Sequence, residues 1–131
     1  MHAKSIRTLG TILALSLYTL LSGQVVAASH QTIKVKASAD TDALDKGFLD
    51  IEIRLTGKCM DAAGAPTQAA MQKCVCARRS EVSADVDTME EVLTRHPTWK
   101  DKMLSWQRGE DGGELPAYNV ALLRQMTRHC H

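Results

Sequence analysis

The sequence predicts a small all-α protein: a disulfide-stapled bundle of three or four helices that follows a cleaved signal peptide. Three features predict this fold, namely a basic and apolar N-terminal segment, apolar residues that recur at helical spacing, and four cysteines in the remainder of the chain. The 131 residues are 44% hydrophobic. That length suits one domain, and that composition excludes a fully disordered chain.

Residues 1–28 have the pattern of a secretory signal peptide. Lys4 and Arg7 supply positive charge, residues 9–21 are apolar, and Ala28 ends a small-residue cleavage motif. The apolar run is shorter than the roughly 20 residues that span a bilayer, so we expect cleavage and no membrane anchor afterwards. Export through this route indicates a periplasmic or secreted protein.

The net charge of the exported part is close to zero. The whole chain has 16 basic and 15 acidic residues, and loss of the two basic residues of the signal leaves one acidic residue in excess. Such a charge does not attract nucleic acid by bulk electrostatics, and we expect no nucleic-acid partner.

After the signal, residues 29–41 have no apolar period and are predicted to form a flexible arm. Residues 42–131 then form a single helical domain, whose first segment fits two patterns. Its helical stripe consists of Leu44, Phe48, Ile51, Leu55 and Cys59. A strand would instead use the alternating residues Leu49, Ile51, Ile53 and Leu55. For residues 44–59 we favour the helix, because its stripe covers more of the segment and Asp42 offers a cap.

The next elements are placed by proline and by the helical period. Pro66 is well placed to begin a long helix, which should bend within residues 80–87 and end before Pro97. A short helix from Pro97 would carry Trp99, Met103 and Trp106 on one face. Residues 108–114 are glycine-rich and are predicted to be a loop, and Pro116 opens the last helix, which turns Val120, Leu123 and Met126 inward.

Four cysteines in an exported chain of this size indicate two disulfides. Cys74 and Cys76 point to opposite sides of a helix, so a bond between them is improbable. Two pairings remain: Cys59–Cys74 with Cys76–Cys130, or Cys59–Cys76 with Cys74–Cys130. We favour the first because Cys59 and Cys74 lie near the two ends of one helical hairpin.

A metal site is the alternative use of these residues. The C-x-C motif and the C-terminal His-Cys-His motif together could bind copper or zinc, with Cys74, Cys76, His129, Cys130 and His131 as ligands. Each motif alone is a weak signal, and the structural use of the cysteines requires no cofactor.

No catalytic motif is present in the sequence, so we expect a non-enzymatic protein. The expected function is binding of a still unidentified protein partner, as an inhibitor, an immunity protein or an envelope accessory factor would do; copper or zinc handling is the alternative. The expected binding residues are Trp99, Trp106, Glu110 and Asp111, where a glycine-rich loop adjoins two tryptophans.

Overall fold

A three-stranded sheet packs with four helices in the computed structural model, which describes residues 30–56, 59 and 67–131. The prediction of an all-α bundle is therefore wrong, and the fold is mixed α/β. The predicted signal peptide lies outside the described residues. In the described part of the chain, no helix is both long and apolar enough to cross a membrane.

The first strand lies within the predicted flexible arm. Strand β1 (Thr32–Lys36) alternates between exposed and half-buried residues. It pairs in parallel with β2 (Met103–Arg108), which pairs in antiparallel with β3 (Asp111–Pro116). The sheet order is β1-β2-β3, so two strands that are about 70 residues apart in the sequence lie side by side.

Strand β2 replaces the predicted short helix, and a hairpin replaces the predicted loop. Only Pro97–Trp99 are helical in that region, as one 3₁₀ turn. Gly109 and Glu110 connect β2 to β3, and Gly109 has a φ of 61°. A two-residue connection with glycine first is the type II′ hairpin turn, whose twist matches that of the flanking strands. The glycines that suggest a loop therefore belong to a tight turn and to β3.

Helix α1 (Ala39–Leu55) confirms the helical interpretation of its segment. Ser38 begins it with a capping box: its hydroxyl accepts from the Thr41 amide, and the Thr41 hydroxyl accepts from the Ser38 amide. The predicted stripe faces the core, whereas Leu49 and Ile53 are 45% and 62% exposed. A strand would have placed those two residues on the same face as its buried ones.

Helices α2 (Gln68–Ala77), α3 (Arg79–Arg95) and α4 (Asn119–Arg128) complete the fold. The predicted long second helix is broken at Arg78, before residues 80–87, and its second part ends at Arg95 as expected. Pro116 ends β3 and does not open the last helix. The predicted inward residues of α4, Val120, Leu123 and Met126, are buried.

The core lies between the helices and one face of the sheet. The sheet contributes Ile33, Val35, Leu104, Trp106 and Leu115 to it. Helices α1 and α3 approach closely at Gly47, where an added Cβ would lie 2.6 Å from Met89 Cγ.

Two disulfides join α2 to the rest of the chain. Cys59 bonds to Cys74, and Cys76 bonds to Cys130. This is the pairing that the spacing favours. It crosslinks the short helix α2 on one side to the segment after α1 and on the other side to the end of α4.

Candidate functional site

A groove between α3 and α4 is the candidate site. Its volume is about 260 Å³, and its lining comes from the C-terminal half of α3, the 3₁₀ turn and the start of α4. The lining residues are Glu90, Leu93, Thr94, Pro97, Lys100, Val120 and Ala121. The α3 residues recur at steps of three and four, which places them on one face of the helix.

The floor of the groove is apolar and its rim is polar. Leu93 and Val120 are 7% and 1% exposed, so they belong to the core and only a small part of each side chain faces the groove. Thr94, Pro97, Lys100 and Ala121 are exposed at the rim. A small site of this composition suits one large side chain or a short peptide segment, because the pockets that hold drug-sized ligands have volumes of about 300–1,000 Å³.

Glu90 connects the groove to a cluster of charges between α3 and α4. The Arg124 guanidinium donates from Nε to Glu90 Oε1 at 2.8 Å and from Nη1 to the Ser83 hydroxyl at 3.0 Å, and it pairs with Asp87. These carboxylates raise the pKa of Arg124, Glu90 first. Arg124 therefore stays charged, and it fixes the position of the Glu90 side chain at the rim.

The rim also carries groups that are free to meet a ligand. Both contacts from Arg124 to Glu90 use Oε1, and no described residue donates a hydrogen bond to Oε2. Lys100 forms no ion pair with any residue that the structure describes. The groove thus offers a hydrogen-bond acceptor and an ammonium donor around an apolar floor.

A second cluster holds the 3₁₀ wall of the groove against α1. Asp40 accepts from Arg95 at 2.7 Å, and its other carboxylate oxygen lies 2.7 Å from His96 Nε2. Hydrogen bonds from Arg95 and His96 lower the pKa of Asp40 to about 2. The His96 ring stacks on Trp99 with its centroid 3.8 Å away. The wall is therefore positioned by an ion-pair network and a ring stack.

The two tryptophans expected to bind a partner are largely buried. Trp99 and Trp106 are only 8% and 4% exposed, so their rings are part of the core. Glu110 is exposed in the hairpin turn, and Asp111 is half-buried at the start of β3. Trp99 lies in the sequence between the lining residues Pro97 and Lys100.

The cysteines of the alternative metal site form the disulfides. Cys74, Cys76 and Cys130 are all oxidised, and no free cysteine occurs in the described residues. His129 and His131 are exposed on either side of Cys130. Among residues 30–56, 59 and 67–131, no three His, Cys, Asp or Glu side chains are placed to hold a metal ion.

The sequence pattern did not indicate the groove. Leu93 and Val120 match the core stripes of two helices, and nothing in their spacing shows that those helices leave a gap. The residues from Glu90 to Pro97 can be recognised as one wall of a groove only once α4 is known to lie beside them. A scan against known protein families, a search of curated proteins and a search of solved structures found no match for this chain.

Proposed function

We propose that this protein is an exported, non-enzymatic interaction protein that holds a partner protein by an apolar side chain inserted into the α3–α4 groove. The observation that carries the proposal is the groove itself, with its apolar floor and a rim that bears a carboxylate and an ammonium group. Interface energy concentrates where a large side chain fills a desolvated pocket within a polar rim. An inhibitor, an immunity protein or an envelope accessory factor would use such a site.

The disulfides support an exported location, because such bonds persist in oxidising compartments such as the bacterial periplasm. They also favour binding over metal handling. All four cysteine sulfurs are engaged with one another, so the oxidised protein has no thiolate to offer as a ligand. A rigid scaffold loses little conformational entropy when it binds, which suits a protein that holds a partner.

The proposal is tested by filling the groove. Ala121 is exposed at the rim, and Ala121→Trp would place an indole over the floor. Ala69 is exposed on α2, away from the groove, so Ala69→Trp is the matched control. Each variant would be immobilised with its disulfides intact and exposed to an envelope extract of the source cells.

We expect the unaltered protein and Ala69→Trp to retain the same partner, and Ala121→Trp to retain it at least about tenfold less well. Circular dichroism and thermal unfolding establish that both variants fold. Equal retention by Ala121→Trp and Ala69→Trp would show that the groove is not the binding site.

A further inference from the structure

The outer edge of β1 has backbone groups that pair with no described residue. The Met103 amide donates to the Gln31 carbonyl at 2.9 Å, which fixes the phase of the parallel pairing between β1 and β2. In a parallel pair, alternate residues direct their amide and carbonyl groups to the neighbouring strand. Thr32, Lys34 and Lys36 therefore direct theirs away from β2. No other described strand pairs with that edge.

The same three residues carry the exposed side chains of β1. Ile33 and Val35 point into the core, so Lys34 and Lys36 lie two residues apart on the solvent face of the sheet. Neither lysine forms an ion pair with a residue that the structure describes. The edge thus combines three backbone donors and three backbone acceptors with two neighbouring ammonium groups.

We propose that this edge binds an extended segment of a partner protein that has acidic residues at alternate positions. A strand added to an edge supplies the missing hydrogen bonds, and its alternate side chains meet those of the edge strand. Residues opposite Lys34 and Lys36 would have Cβ atoms about 4.5–5.5 Å from theirs, within reach of an ion pair. Two carboxylates separated by one residue match this arrangement.

A second copy of the chain is the less suitable occupant. Pairing of two β1 edges would set lysines against lysines, and like charges directly opposite each other destabilise a strand pair. Edge lysines are also a common protection against strand-to-strand aggregation. An acidic segment turns the same charges into attraction. This inference does not depend on the groove, which is formed by other elements.

The probe is a synthetic, end-blocked pentapeptide that alternates valine with glutamate, and its counterpart has lysine in place of glutamate. Each peptide is added to the oxidised, ¹⁵N-labelled protein, and amide hydrogen exchange is followed by NMR. We expect the glutamate peptide to slow exchange of the amides of Thr32, Lys34 and Lys36 at least about tenfold. We expect the lysine peptide to leave them unchanged.

A charge-reversed variant provides the second arm. Lys34→Glu combined with Lys36→Glu should exchange the preference, so that the lysine peptide protects the edge and the glutamate peptide does not. Lys73→Glu combined with Arg79→Glu changes the net charge equally at exposed helical positions, and it should keep the original preference.

Absence of protection at the three amides, or equal protection by the two peptides, would overturn the proposal. So would a glutamate preference that survives charge reversal of the edge. If the reversed variant fails to fold, the comparison of the two peptides on the unaltered protein decides the question.

Discussion

Glu52 offers the sharpest test of the packing described above. It lies on α1 next to the exposed Ile53, yet it is only 4% exposed, and no described group hydrogen-bonds its Oε1 atom. Burial raises the pKa of this carboxyl from an ordinary value of 4.5 to about 7. Removing the charge by Glu52→Gln should therefore stabilise the protein at neutral and higher pH.

The direction of this pH dependence follows from proton binding. The unfolded chain releases the Glu52 proton near pH 4.5, whereas the folded protein keeps it until about pH 7. The folded protein binds the proton more tightly, so its free energy of unfolding falls as the pH rises between these two values and levels off above the higher one. One pKa unit corresponds to about 1.36 kcal/mol, so the loss amounts to at most about 3 kcal/mol.

The measurement is urea unfolding of wild type and Glu52→Gln, followed by fluorescence of the buried tryptophans from about pH 4 to pH 8.5. In the difference between the free energies of unfolding of the two proteins, the titration of all other groups cancels. We expect this difference to shift by up to about 3 kcal/mol in favour of the variant as the pH rises. Glu110→Gln, at an exposed position, is the control and should show no such trend. A difference that does not vary with pH would show that burial does not shift the pKa of Glu52.

Three further predictions concern the elements that hold the fold together. Gly47→Ala should lower the free energy of unfolding by about 1–3 kcal/mol in chemical denaturation, because its Cβ would clash with Met89; an unchanged or raised stability would show that the helices separate freely. Replacing Cys76 and Cys130 together by serine should lower the free energy of unfolding by about 4 kcal/mol relative to the oxidised protein. A loss below about 1 kcal/mol would show that this crosslink does not stabilise the fold. Asp40→Asn should remove a stabilisation that is present above about pH 4 and lost as the pH falls towards 2. The thermal unfolding temperatures of the variant and the unaltered protein should therefore converge in acid. A difference that stays constant with pH would argue against the ion pairs.

The helices could largely be predicted from the sequence because their signals are local. Leu44, Phe48, Ile51 and Leu55 repeat at helical steps within one segment, and tertiary contacts reinforce that local pattern. The cysteine pairing could also be predicted, since the i,i+2 placement of Cys74 and Cys76 removes one of the three possible disulfide pairings.

The sheet was missed because its signals depend on distant partners. Strand β1 has only two apolar residues, Ile33 and Val35, and it gains its hydrogen bonds from a strand about 70 residues away. Trp99, Met103 and Trp106 fit a helical spacing, but pairing with β1 and β3 decides the conformation of the last two. The groove was missed for the same reason: the docking of α4 on α3 creates it.

The arrangement of the crosslinks has a consequence for proteolysis of the oxidised protein. A single backbone cut at almost any position from residue 60 to residue 129 leaves the two fragments covalently joined, because each cut falls inside one of the two disulfide loops. Within that range, only the peptide bonds on either side of Val75, between the loops, could be cleaved to release separate pieces, and Val75 is fully buried. Nicked molecules should therefore keep their mobility on a non-reducing gel and separate only after reduction.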